Sequence, residues 1–191
     1  RYFQVRGIAK KHHHRMLEIA DKYVLLSDSF KEILKKEYHI DTTDKRLASI
    51  GNPVSLPIRK LQEKEKEALF IGRLTGQKGT DYLGQIWCSV ARRHPDWTLT
   101  IVGDGEERER MENTFKREGI QNVKFEGYCA DVLPFYKRAS ILLHTSVYEG
   151  FPMVLLEAMS QRCVPFAFKS YKSIFDIIED ERSGYLVNAF D

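Results

Sequence analysis

Between positions 68 and 187, short apolar runs alternate with longer stretches in which apolar residues recur every three or four positions. The runs at 68–72, 97–102, 123–125, 140–144, 164–168 and 185–187 predict strands. The run at 140–144, Ser-Ile-Leu-Leu-His, suits a strand buried on both faces. The stretches between the runs predict helices. Residues 80–94 place Tyr82, Leu83, Ile86, Trp87 and Val90 on one face, and 106–118 turn Met111 and Phe115 inward. Asp131 caps a short helix that runs through Lys137, with Pro134 near its start. Another helix opens at Pro152 as its first residue, where the missing N–H costs nothing, and a last one covers 174–179. Strand and helix alternate about every 25 residues, the signature of a doubly wound parallel α/β sheet.

Upstream of position 68 the pattern is less regular. Residues 5–22 are polar and basic and predict a helix from about His12 onward. A short strand at 23–26, a helix at 30–38 with Ser29 as its N-cap, and a second strand at 47–50 follow. Gly51-Asn52-Pro53 ends that strand. The Pro-containing, charge-rich segment 54–66 reads as a linker, and the domain boundary is placed near it.

Composition narrows the classes. The 191 residues, 42% of them hydrophobic, suffice for one domain of ordinary size with a fragment of another. Thirty Lys and Arg against 27 Asp and Glu leave a net charge of only +3. With neither a basic stripe nor an aromatic-basic repeat, this argues against a dedicated nucleic-acid binder. Cys88, Cys129 and Cys163 are widely spaced and contain no C-x-x-C, so neither a zinc site nor a disulfide framework is signalled and a reducing, cytoplasmic setting is expected. No apolar run approaches the roughly 18 residues of a membrane span. The start at Arg1, without Met or signal-peptide pattern, and the stop at Asp191 directly after a strand-like segment lead to the expectation of an excised piece of a longer protein. The cluster Lys10 to Arg15 reads as a solvated helix face, with contact to phosphates or an anionic membrane surface as the alternative. Three successive histidines cannot all face one metal on a helix.

The candidate chemistry gathers at strand ends. In doubly wound sheets ligands bind beyond the carboxyl ends of strands. Here those ends carry Gly72-Arg73, Gly103-Asp104-Gly105, Gly127-Tyr128-Cys129 and the segment from Ser146 to Phe151. Arg73, a forked donor, and Lys78, a mobile point charge, lie in a Gly-punctuated loop and together suit a diphosphate. The loop lacks the P-loop pattern. Gly150 permits a sharp turn, and a helix from Pro152 aims free N–H groups, from Met153 and Val154 onward, at the strand end: an anion site. Glu149 and Glu157 bracket that turn. A carboxylate there accepts hydroxyl hydrogen bonds from a vicinal diol; equally, Glu157 points to solvent or pairs with Lys or Arg. Asp104 either belongs to a tight strand-to-helix turn or caps the next helix. His144 reads as a hydrogen-bonded core histidine rather than a general base, and Tyr128 either flanks a planar base or packs. Two cations, a helix N-terminus and two carboxylates suit a ligand with a diphosphate between polyols, a nucleotide-sugar.

Phe70-Ile71-Gly72-Arg73-Leu74 with Lys78-Gly79, Ile101-Val102-Gly103-Asp104-Gly105, and Glu149-Gly150-Phe151-Pro152 through Glu157-Ala158-Met159 together resemble glycosyltransferase family 4, whose E-x7-E spacing Glu149 and Glu157 match. The resemblance implies a GT-B fold and transfer with retention of configuration. It implies that residues 1–50 are the remnant of an N-terminal domain and linker, and that 51–191 are the donor-binding Rossmann-like domain. The chain is then the donor part of an enzyme moving a hexose from a nucleotide-diphosphate sugar to a glycan or lipid acceptor, inactive as an isolated piece. The alternative is a non-catalytic nucleotide or phospho-ligand binding module of the same fold. By the resemblance, Arg73 and Lys78 hold the diphosphate from beside Gly72. Backbone amides near Gly150, Phe151, Met153 and Val154 assist. Glu157 takes the ribose, Glu149 contacts the hexose, and the backbone at Tyr128 and Cys129 meets the base. Arg73, Lys78 and Glu149 are the expected catalytic residues, with no metal or other cofactor. The expected location is cytoplasmic, peripheral at the inner membrane face. Arg162 stands where similar sequences usually have Gly; a positive φ there would strain it, and otherwise its charge would cap the helix end.

Overall fold

The computed structural model describes residues 2–57 and 63–189. The middle of the linker expected over 54–66 and the chain end at Asp191 lie outside them. The chain divides into two compact units, Arg1–Pro53 and Val54–Asp191.

The first unit contains helix α1 (Tyr2–Ile19), strand β1 (Tyr23–Leu25), helix α2 (Ser29–Tyr38) and strand β2 (Leu47–Ser49). β1 and β2 pair in parallel, Tyr23 opposite Leu47. Leu17, Leu25, Leu34 and Ile40 form its core. The helix expected from about His12 begins ten residues earlier; no proline interrupts that stretch, and its Gln, Arg and Lys residues are good helix formers despite sparse apolar spacing. Ser29 is not the N-cap of α2. Asp28 holds that position without a side-chain capping bond, and Ser29 is the first helical residue, its hydroxyl 2.7 Å from that of Ser27.

The second unit runs β3 (Glu65–Ile71), a 3₁₀ turn (Gly76–Lys78), α3 (Thr80–Arg93), β4 (Thr98–Val102), α4 (Arg108–Arg117), β5 (Val123–Gly127), α5 (Leu133–Arg138), β6 (Ala139–His144), α6 (Met153–Ser160), β7 (Val164–Phe168), α7 (Ile174–Ile177) and β8 (Tyr185–Val187). Its six strands are ordered β5-β4-β3-β6-β7-β8. All neighbours are parallel. Successive strands move outward from β3 to β5, then the chain returns to the other side of β3 with β6. That reversal is the topological switch point of a doubly wound sheet. The alternation of side chains assigns a separate core to each face. Leu69, Leu142 and Ala167 pack with Tyr136, Leu155 and Ile174. Phe70, Leu99 and Ile101 pack with Leu83, Trp87, Met111 and Phe115. The stripe on α3 centres on Leu83, Trp87 and Ala91, with Tyr82, Ile86 and Val90 half-buried at its edge.

Several boundaries move. β3 begins at Glu65 rather than position 68, since its charges find partners: Glu67, 3% exposed, takes Arg138 at both carboxylate oxygens. α4 begins at Arg108, not 106, and Asp104 does not cap it; the Asp104 carboxylate instead accepts from the Gly105 N–H at 2.8 Å and pairs with Arg108. Pro152 is the N-cap of α6 rather than its first helical residue, with an extended ψ of 100°. α7 stops at Ile177, short of 179. Arg162 has φ +59°. It occupies the left-handed position of a Schellman closure, with Cys163 N–H donating to Ala158 and Arg162 N–H to Met159. No described helix is long and apolar enough to cross a membrane.

Candidate functional site

The carboxyl ends of β3, β4 and β5 are laced together by backbone hydrogen bonds. Gly72 N–H donates to Val102 C=O at 3.0 Å, and Gly103 N–H to Gly127 C=O at 2.7 Å. Gly103, at φ +137°, is required twice over: its conformation excludes most side chains, and a Cβ would land on the Gly72 carbonyl oxygen. Above this floor lies a cavity of about 520 Å³, lined by Ile71, Gly72, Arg73, Val102, Gly103, Asp104, Tyr128, Cys129, Val132 and Glu157. Its lining joins the apolar side chains of Ile71, Val102 and Val132 to a few polar groups, Arg73, Asp104 and Glu157, the usual character of a small-molecule site. Arg73 is exposed and makes no ion pair among the described residues. Tyr128 is 82% exposed, so a ring face is open at the rim.

Glu157 enters this cavity from the first turns of α6. No Lys or Arg among the described residues pairs with it. The Tyr136 hydroxyl donates to Oε2 of Glu157 at 2.8 Å. Tyr136 is not a candidate in the sequence because its partner lies 21 residues away on another helix; the one signal is a Tyr on a short helix with no other evident use for its hydroxyl.

Lys78 and Glu149 form a second group. Lys78 Nζ lies 2.5 Å from Glu149 Oε1, and their side chains are only 23% and 12% exposed. The loops that carry them are joined: Thr145 Oγ1 donates to the Lys78 C=O at 2.9 Å, and Val147 N–H to the Gln77 C=O at 2.8 Å. A Cβ on Gly72 would meet Cδ and Cε of Lys78 at 3.6 Å, so the Lys78 stem runs beside the cavity floor. Gly72, Arg73, Tyr128, Cys129 and Glu157 thus share one cavity. Lys78, Glu149, Gly150, Phe151, Met153 and Val154 lie outside its lining. The turn that includes Gly150 is tied down from the segment after β7: Ser173 Oγ donates to Gly150 C=O and Ser170 Oγ to Ser146 C=O, each at 2.6 Å.

His144 sits beneath that turn at 4% exposure, with Nε2 2.8 Å from the Tyr171 hydroxyl. Burial lowers its pKa to about 4; nearby Glu149 opposes the shift and Lys78 adds to it. The imidazole is therefore neutral at physiological pH and packs the core. Cys163 is buried, which pushes its thiol up to about 12, and Cys88 is raised for the same reason. Among the described residues no three His, Cys, Asp or Glu side chains group in a way that could hold a metal ion.

The family model described as "Glycosyl transferases group 1" matches residues 55–191. The chain is 35% identical over 169 residues to an uncharacterized glycosyltransferase of Haemophilus influenzae, covering 87% of this chain and 47% of that protein. It is 33% identical over 159 residues to the lipopolysaccharide 1,6-galactosyltransferase of Salmonella typhimurium, covering 78% and 43%. The chain thus spans less than half the length of these two relatives. The crystal structure of Anabaena Alr3699/HepE in complex with UDP and glucose has the same fold, with a TM-score of 0.80 at 19% identity over 97% of this chain and 54% of that one.

Proposed function

The chain belongs to the glycosyl transferases group 1 family, with the Rossmann-like sheet of a GT-B fold, and on that premise we propose that it is the donor-binding part of a retaining hexosyltransferase of glycosyltransferase family 4. The observation that carries the reading is the meeting of Arg73 and Glu157 in one cavity at the end of a switch-point sheet. A free guanidinium suits a diphosphate and a braced carboxylate suits a diol. The Tyr128 ring and the backbone at Cys129 offer a flat surface to a base. Uridine diphosphate is the natural probe, since HepE, which shares the fold, was solved with UDP and glucose.

Lys78 enters through exchange. A phosphate oxygen takes the place of Glu149 on Lys78, and the freed Glu149 accepts from a hydroxyl of the hexose. As the glycosidic bond breaks, negative charge grows on the leaving diphosphate. Arg73 and Lys78 then bind it more strongly than the ground state, which is the differential binding that lowers the barrier. The α6 N-terminus, with the amides of Met153 and Val154 behind Gly150 and Phe151, adds its dipole. Two cations carry the leaving-group charge, so turnover by the complete enzyme should survive chelation with EDTA; its loss would require a metal role. The acceptor, a glycan or lipid-linked sugar, and a peripheral position at the inner membrane face belong to the same proposal. Salt-insensitive partitioning between soluble and membrane fractions would contradict the latter.

Calorimetric titration with UDP tests the core of the reading. Binding is expected without added metal. Glu157→Ala should weaken it by roughly tenfold or more, the range for a hydrogen bond to a charged group. Arg73→Ala should chiefly slow transfer by the complete enzyme. Unchanged UDP affinity in Glu157→Ala together with unchanged turnover in Arg73→Ala would sink the assignments.

A further inference from the structure

Tyr136 reaches the cavity wall from behind. Its side chain is fully buried among Leu69, Leu142 and Leu155, and it is absent from the cavity lining. A buried phenol needs a hydrogen-bond partner, and its hydroxyl donates to Glu157 Oε2 at 2.8 Å. The short helix that carries Tyr136 is held at two further points: Lys64 Nζ donates to the Tyr136 C=O at 2.7 Å, and Asp131 Oδ1 accepts from the Leu133 N–H at 3.1 Å. Glu157, by contrast, is half-buried and lines the cavity. Left alone, a glutamate at a cavity rim spreads over several rotamers, and binding must freeze one of them. Here one carboxylate oxygen is occupied from the core, and Oε1 remains as the acceptor for a ligand.

We infer that Tyr136 is a positioning residue for diol recognition: its hydroxyl holds the Glu157 carboxylate in the one orientation that presents a free oxygen to a ribose in the cavity. The inference rests on the nucleotide-sugar reading above. The direction of the bond is set by chemistry. Burial, and then the adjacent Glu157 charge, raise the Tyr136 pKa far above its ordinary value, so the hydroxyl remains a donor throughout the working pH range. Because it touches Glu157 and not the ligand, Tyr136 should alter how the diol is read and leave the other contacts alone.

The test is calorimetric titration of the full chain with UDP and with 2′,3′-dideoxy-UDP, for wild type, Tyr136→Phe, Glu157→Ala and the double variant. Thermal midpoints are recorded beside the affinities. Tyr136→Phe is expected to weaken UDP binding about tenfold and to leave dideoxy-UDP within about twofold. In the Glu157→Ala background it should add nothing further, the coupling expected of two residues acting as one unit. Parallel loss for both nucleotides, or additive loss in the double variant, would assign Tyr136 to packing and overturn the inference. Retained diol preference in Tyr136→Phe would overturn it too, as would failure of that variant to fold. A wild type that binds both nucleotides equally would remove the ribose role of Glu157 itself, and so separates failure of the underlying reading from failure of the Tyr136 role.

Discussion

His144 and Arg162 show how one side chain reports its surroundings. The folded state keeps His144 neutral down to about pH 4, whereas the unfolded chain takes up that proton near the ordinary value of 6.5. Between those values the unfolded state binds more protons, so stability falls as pH falls through the window and levels off below it. The loss attributable to this group is on the order of 3 kcal/mol. Urea unfolding at a series of pH values should show that slope in the wild type, and His144→Gln should flatten it. Arg162 carries the cost of a left-handed backbone at a helix end where glycine fits without strain. Arg162→Gly should therefore stabilise the protein by about 1 kcal/mol, net of the entropy that glycine loses. That corresponds to a rise of roughly 3 °C in thermal midpoint for a chain of this size. The notion of Arg162 capping the helix by charge is not needed: its backbone N–H closes the helix.

At the scale of elements, the site depends on loops that approach more closely than side chains allow. Gly103 is the crossing point between the ends of β3 and β4, and both ends line the cavity. Gly103→Ala must push the Gly72 backbone aside. It should cost roughly 2–4 kcal/mol by denaturant titration and weaken UDP binding alongside. Most strands and helices were legible because their periods of 2.0 and 3.6 are written locally in the apolar pattern. One boundary escaped because the polar content there is satisfied at a distance. The charged opening of β3 is tolerated because Arg138, 71 residues on, pairs with Glu67. The cap expected at Ser29 moved because the helix starts one residue earlier, with Ser29 inside it and Asp28 at the N-cap.

On the scale of the whole molecule, every residue lining the cavity belongs to the unit Val54–Asp191. Removal of residues 1–53 should therefore leave UDP affinity within about twofold, provided the thermal midpoint of the shortened chain is unchanged. A larger fall would mean that the first unit supplies part of the nucleotide site. Transfer activity is a separate question, since the related proteins are more than twice as long as the region this chain matches.

The amino-acid sequence by itself determined the alternation of strand and helix, the loops that fall at strand ends, and the family, whose model matches residues 55–191. The first two are properties of short stretches. Only the tertiary structure decided the strand order with its reversal between β3 and β6, and with it the meeting of Arg73 and Glu157 in one cavity. It also decided that Lys78 rests on Glu149, that Tyr136 braces Glu157, and that His144 is buried and neutral. The reason is physical. A backbone period is set by covalent geometry within a few residues, whereas the partner of a buried charge or hydroxyl is whichever group the packed core brings within 3 Å or so.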